Sequence, residues 1–188
     1  MSAKDELVAL GLWPAAAAKV ASLETPPITG GAGFTGGTGT LLKTSVERLG
    51  EIIITRFVFD LTGLASSTTD LDIIGTGSSA AYFGQVTAAK NGTILAGRVT
   101  CLEAPAGGVA DIDFYSATEA TGVFDGGIAA LTETALVTSG GAWTSGATKG
   151  MPNVPAANEY LYATGGAGGT GATYTAGKFL VELFGHDA

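Results

Sequence analysis

Beyond residue 45 short apolar runs alternate with clusters of Gly, Ser, Thr, Asn and Asp. The runs at 51–61, 71–74, 82–87, 93–102, 111–116, 134–137, 159–163 and 178–184 are rich in β-branched and aromatic residues, and each is predicted as a strand. Asn91-Gly92, between the third and fourth runs, spells a two-residue hairpin turn. The last run places Phe179, Val181 and Leu183 on one side and Leu180, Glu182 and Phe184 on the other. Neither side is strongly polar, so both faces of this strand are expected to be covered. The stretch 122–131 reads as a loop or a single helical turn. Many short strands with glycine-rich turns and no helices between them predict a mainly β fold, a β-sandwich, jelly roll or closed barrel. No internal repeat points to a solenoid or propeller.

The beginning of the chain has a different pattern. Residues 1–24 are rich in Ala and Leu, poor in β-branched residues, and broken by Gly11-Leu12-Trp13-Pro14. Two short helices follow from that pattern. Ser2 caps the first, with Asp5 and Glu6 near the positive end of its dipole and Leu7 and Leu10 on its apolar side. Pro14 suits the first turn of the second, which Trp13, Ala17, Val20 and Ala21 line. Such a helical arm has too little apolar area to stand alone, and is expected to pack on the main domain or on a neighbouring subunit. Leu7, Leu10, Trp13, Val20 and Leu23 are its candidate interface anchors. Residues 25–44, rich in Gly, Thr and Pro, read as an extended connector, and 45–188 as the β domain.

Composition narrows the function classes. The 188 residues suffice for one domain with its own core, and an apolar share of 46% against 14% charged residues excludes a disordered chain. A formal charge of −8 opposes binding to phosphate backbones, so nucleic acid is not an expected partner. Cys101 is the only cysteine, which removes intramolecular disulfides and thiolate metal clusters, and its apolar surroundings make it a core side chain. Lys4, Asp5 and Glu6 interrupt any secretory signal at the start, and no stretch approaches the ~20 apolar residues of a membrane span, so synthesis in a cytoplasm and no membrane partner are expected.

Motifs for chemistry are weak. Gly31-Ala-Gly-Phe-Thr-Gly36, Gly75-Thr-Gly-Ser-Ser-Ala80 and Gly166-Ala-Gly-Gly-Thr-Gly171 match a dinucleotide fingerprint by spelling, without the strand-then-helix context the phosphates require. No cofactor is therefore expected. His186, the single histidine, lies two residues from the C-terminus and has no Gly-x-Ser-x-Gly elbow to serve, so a solvated or interface position is expected. Asp70/Asp72 and Asp111/Asp113 alternate as if on one strand face, a pattern shared by solvated strand ends, a weak cation site and a carboxylate dyad. Solvated or strand-end positions are the reading the surrounding residues favour, since neither pair has an Asp/Asn-rich loop beside it. No catalytic residue and no metal ligand is assigned.

Asp111-Ile-Asp-Phe-Tyr-Ser-Ala-Thr-Glu-Ala-Thr-Gly122, Glu159-Tyr-Leu-Tyr-Ala-Thr-Gly-Gly and Tyr174-Thr-Ala-Gly-Lys-Phe-Leu-Val-Glu-Leu-Phe-Gly185, with Leu-Gly-x-x-Pro-x-x-Ala at 10–17, resemble head structural proteins of tailed bacteriophages, the capsid decoration or cement proteins in particular. The resemblance implies a small β-rich protein, a homotrimer, that binds the outer surface of an icosahedral shell in the virion and clamps neighbouring major capsid proteins. It implies no catalytic residue. The competing reading is a carbohydrate- or receptor-binding β-module, which exposed aromatics such as Trp143 and Tyr160 around a shallow groove would favour.

Overall fold

The computed structural model describes residues 28–166, 169 and 171–187. The arm expected over 1–24, with Leu7, Leu10, Trp13, Val20 and Leu23, lies outside the described residues. Nine strands are named among the described residues: β1 (Leu41–Leu49), β2 (Ile52–Asp60), β3 (Gly84–Gln85), β4 (Thr93–Ala106), β5 (Ile112–Ala117), β6 (Glu133–Val137), β7 (Thr148–Gly150), β8 (Tyr160–Gly165) and β9 (Ala176–His186). Two one-turn helices, α1 (Ala32–Thr35) and α2 (Ala88–Asn91), and a 3-10 turn at Ile128–Ala130 complete the list.

The strand pairing follows one rule. β2 pairs with β9, β3 with β8, β4 with β7 and β5 with β6, all antiparallel, so that the chain is a long ribbon folded back on itself. Rolling that ribbon sends successive pairs to opposite layers and creates two further contacts, β4 with β9 and β5 with β8. The result is a five-stranded sheet in the order β1-β2-β9-β4-β7 facing a four-stranded sheet in the order β3-β8-β5-β6. A nested ribbon rolled into two facing sheets is the jelly-roll form of the β-sandwich. β1 is an addition at the edge, joined to β2 through the two-residue turn Gly50-Glu51 with Leu49 opposite Ile52.

Phenylalanine fills the space between the sheets. Phe59 of β2 lies with its ring centroid 5.3 Å from Phe34, 5.1 Å from Phe83, 6.3 Å from Phe114 and 5.8 Å from Phe179. Trp143 closes one side of this cluster, edge-on to Phe114 and Phe179 at 6.2 and 5.5 Å. Edge and offset contacts of this kind contribute beyond the area they bury. A second, smaller core, with Ile73, Ala81, Tyr115, Ile128 and Tyr162, lies on the other side of the four-stranded sheet, under the loops around 71–82 and 122–131. All six residues of β5 are therefore buried.

Several sequence expectations need correction. Both-sided cover belongs to β5, while β9 buries Phe179, Val181 and Leu183 and leaves Lys178, Leu180 and Phe184 half-buried on its other side. Residues 71–74 form isolated bridges, Asp72 with Gly127 and Ile73 with Thr164, because Leu71 takes φ +63° and breaks the strand. Only Gly84–Gln85 of the run 82–87 is strand. Asn91-Gly92 is not a hairpin turn, since β3 and β4 belong to different sheets. Asn91 instead ends α2 and is buried: its side chain accepts from the Thr87 N–H at 2.8 Å and donates to Thr55 Oγ1 at 2.8 Å, while Gly92 supplies φ +65° just past the helix.

The described part of the connector, 28–44, is built into the domain. Ile28 and Phe34 belong to the main core, and β1 starts at Leu41. The Gly31-to-Gly36 run does open a helix, the one-turn α1, with a purpose unrelated to phosphate. A Cβ on Gly31 would fall 2.2 Å from the Ala80 carbonyl oxygen, and one on Gly33 2.1 Å from that of Ser79, so the glycines let α1 press Phe34 into the core.

Truncating Phe59→Ala is expected to cost about 3–5 kcal/mol, because four neighbouring rings lose a shared partner. Urea denaturation checks this: the midpoint falls while the slope stays that of the parent protein.

Candidate functional site: the outer face of the five-stranded sheet

The two sheets differ in what their outer faces meet. Loops and the second core cover the four-stranded sheet, whereas among the described residues no segment crosses the outer face of the five-stranded sheet. The large apolar side chains exposed among the described residues, Leu41, Leu49, Ile52, Leu95 and Leu102, all sit in the five-stranded sheet. Leu41, Leu49 and Ile52 lie on the outer face at the β1–β2 side, by their register with each other and with His186 of β9. Leu95 and Leu102 occupy irregular positions in β4 where the register with β9 shifts. Between them Ile54, Val58, Leu180 and Phe184 are half-buried. Apolar side chains exposed along one sheet make that sheet the candidate for association.

Charge on this face is balanced residue by residue. Strand register brings Arg56 of β2, Glu182 of β9 and Arg98 of β4 into one row. Arg56 Nε donates to Glu182 Oε1 at 3.2 Å and Arg98 Nε to Glu182 Oε2 at 2.5 Å, while Arg56 Nη1 also reaches Glu47 Oε2 at 2.8 Å. Arg98 in turn lies 5.7 Å over the ring of Phe184. Further along, Lys178 pairs with Glu103 and with Asp60. Burial alone would push the Glu182 carboxyl up, but the hydrogen bonds from Arg98 and Arg56 outweigh it and hold the carboxyl below its ordinary range. With Lys43 included, four cations and four anions occupy the outward positions of β1, β2, β9 and β4, so these strand positions carry no net charge in a chain of formal charge −8. The acidity lies elsewhere on the molecule.

The residues singled out from sequence are placed as follows. Asp70 is exposed and Asp72 buried in an irregular segment, so they share no strand face. Asp113 is buried in β5, and Asp111 lies just before it. Both face Ser139, whose N–H donates to Asp113 Oδ1 at 2.5 Å and whose hydroxyl donates to Asp111 Oδ1. Burial, only partly offset by that N–H, pushes the Asp113 carboxyl up. The Lys149 ammonium donates to the Ser139 carbonyl oxygen and lies 5.2 Å over the Trp143 ring. The ammonium addresses the carbonyl and leaves the hydroxyl to Asp111, so these groups clasp the loop before Trp143 onto β5. Among the described residues no three of His, Cys, Asp or Glu come together, and no helix is long and apolar enough to cross a membrane.

His186 closes β9 and lies 3.3 Å from Glu51 Oε2, and Cys101 is buried in β4. Trp143 is in the core, its Nε1–H donating to the Ile112 carbonyl at 2.7 Å, so it offers no exposed platform. Tyr160 packs edge-on to Tyr82 at 4.9 Å beside a polar hollow of about 140 Å³ that Gln85, Thr87 and Lys90 also line. The ionic row leaves no local mark in the sequence. Its members stand at 56, 98 and 182, and only the pairing of β9 with both neighbours brings them together.

Comparison with protein-family models, with curated proteins and with solved structures returns no match.

The row yields a pH-dependent prediction. Glu182→Gln keeps the shape but removes the charge that holds Arg56 and Arg98, and is expected to cost about 1–2 kcal/mol near neutral pH, a modest figure because both arginines are partly solvated. A carboxyl with a depressed pKa contributes stability that is complete above the ordinary carboxylate range and is lost as the pH falls through its folded-state value. The gap between parent and variant therefore closes on acidification, which urea titrations from about pH 7 to about pH 3 would record.

Proposed function

We propose that the chain is a structural protein of a tailed-bacteriophage head that binds the outer surface of the icosahedral shell, clamps neighbouring major capsid proteins and catalyses no reaction. One observation carries the reading: the apolar, charge-balanced outer face of the five-stranded sheet. An acidic protein approaching an ordered surface meets least repulsion through the face that carries no net charge. Apolar area covered there contributes roughly 25 cal/mol per Å² before the costs of ordering and association. The residue-level resemblance of 111–122, 159–166 and 174–185 to phage head proteins supports the same reading. The jelly roll recurs in viral capsid and lectin domains, which is analogy of fold alone.

The arm residues Leu7, Leu10, Trp13, Val20 and Leu23 are proposed as a second contact, reaching an adjacent capsid or decoration subunit. The carbohydrate-binding alternative draws less support. Trp143 is enclosed, and the hollow beside Tyr82 and Tyr160, about 140 Å³, is below the ~300 Å³ at which ligand pockets begin.

Co-sedimentation with mature shells stripped of accessory proteins tests the proposal. Saturable binding at a fixed ratio to the shell protein, with a higher shell melting temperature, is expected. Val58→Glu, on the outer face between Lys43 and Leu180, is expected to weaken binding by about tenfold or more. Deleting residues 2–24 spares Ile28 and Phe34 of the core, and tests the arm separately. A folded protein that ignores shells would overturn the proposal.

A further inference from the structure

Four strands form the edges of the two sheets: β1 and β7 of one, β3 and β6 of the other. β7 has three residues and β3 two, while Asn153 Nδ2 donates to the Ala135 carbonyl of β6 at 3.0 Å. β1 differs from all of them. It runs nine residues without proline, and among the described residues its backbone pairs on one side only, with β2. A long, regular, unpaired edge is a template for another strand.

The sequence of β1 indicates which strand fits. Leu41, Lys43, Ser45, Glu47 and Leu49 point to the outer face, all exposed, and the residues between them point inward. When a second β1 is laid antiparallel about a two-fold axis at Ser45, Lys43 meets Glu47 of the copy and Glu47 meets its Lys43. Leu41 and Leu49 meet in the same reciprocal way, Thr44 meets Val46, and Leu42 lies along the stem of Arg48. Moving the axis to Thr44 sets Leu41 against Glu47, and moving it to Val46 sets Lys43 against Leu49. Only the Ser45 register joins opposite charges and covers both terminal leucines. A two-fold contact requires such self-complementarity, and cross-strand ion and apolar pairs are the unit by which sheets are stabilised.

We propose that β1 pairs with β1 of a second copy, antiparallel about Ser45, joining two five-stranded sheets into one continuous sheet. Ile28 lies on the inner side of the strand, where Thr44 Oγ1 donates to its carbonyl at 3.0 Å. The pairing stands apart from shell binding and differs from the three-fold association that the resemblance implies, so the chain alone suffices to test it.

The test is sedimentation equilibrium of the full chain over about 1–500 µM, a range suited to a small interface. The mass is expected to rise from the 18.6 kDa monomer towards twice that value. Lys43→Glu and Glu47→Lys, both at exposed positions, each place like charges opposite one another, and each is expected to weaken dimerisation by about tenfold. Mixing the two variants sets every introduced charge against its opposite, and the mixture is expected to dimerise. Because Glu47 also binds Arg56, this rescue separates loss of the contact from loss of local structure. Leu49→Ser, at a side chain 78% exposed, reports independently through a weaker dimer. A monomer throughout the range, a trimer, or a mixture no more associated than its components would overturn the proposal.

Discussion

The packing of Phe59 between the sheets is the contact on which the rest of the structure depends. Its ring touches aromatic partners from α1, from the segment entering β3, from β5 and from β9, which span the domain from residue 34 to residue 179. A rolled ribbon brings strands together that are far apart in the chain, and each such contact must overcome the entropy of closing a long loop. A cluster of rings shared by all the layers makes those closures mutually supporting. The close approach of Gly31 and Gly33 to the backbone at 79–80 belongs to the same arrangement, since it delivers Phe34 to the cluster.

That core also explains why the two outer faces differ. The chain spends its long loops covering the four-stranded sheet, where Ile73, Ala81 and Ile128 pack on Tyr115 and Tyr162. No comparable segment crosses the five-stranded sheet among the described residues, and its outer face is instead finished with cross-strand ion pairs and scattered aliphatic groups. Pairing Glu182 with two arginines keeps that face stable in water while leaving it without net charge. A surface of that kind is suited both to solubility and to docking on another ordered surface.

Much of the fold is legible in the sequence wherever a strand has an apolar side long enough to show its period. β2, β4, β5, β6, β8 and β9 fall on runs predicted as strands, and the mainly β sandwich follows from them. β1 was split between connector and domain because its outer positions mix Leu, Lys, Ser and Glu, and the glycine-rich stretch before it resembles a linker. β7, Thr-Lys-Gly, carries no apolar signal at all, and β3 occupies only two positions of the run predicted over 82–87. Asn91-Gly92 misled for a local reason: the Thr87 side chain accepts from the Lys90 N–H and opens a helical turn, and the buried Asn91 amide then bonds to Thr55 of a distant strand. The candidate face is a product of register between strands far apart in sequence, and leaves no local mark.

The proposed contact with the shell is the outer face of the five-stranded sheet. Hydroxyl-radical footprinting of the shell-bound protein against the free protein measures this side chain by side chain. Protection is expected at Ile52, Leu180 and Phe184, with Tyr82 and Leu131 on the opposite side of the sandwich unchanged. Protection confined to that opposite side, or none on binding, would contradict it.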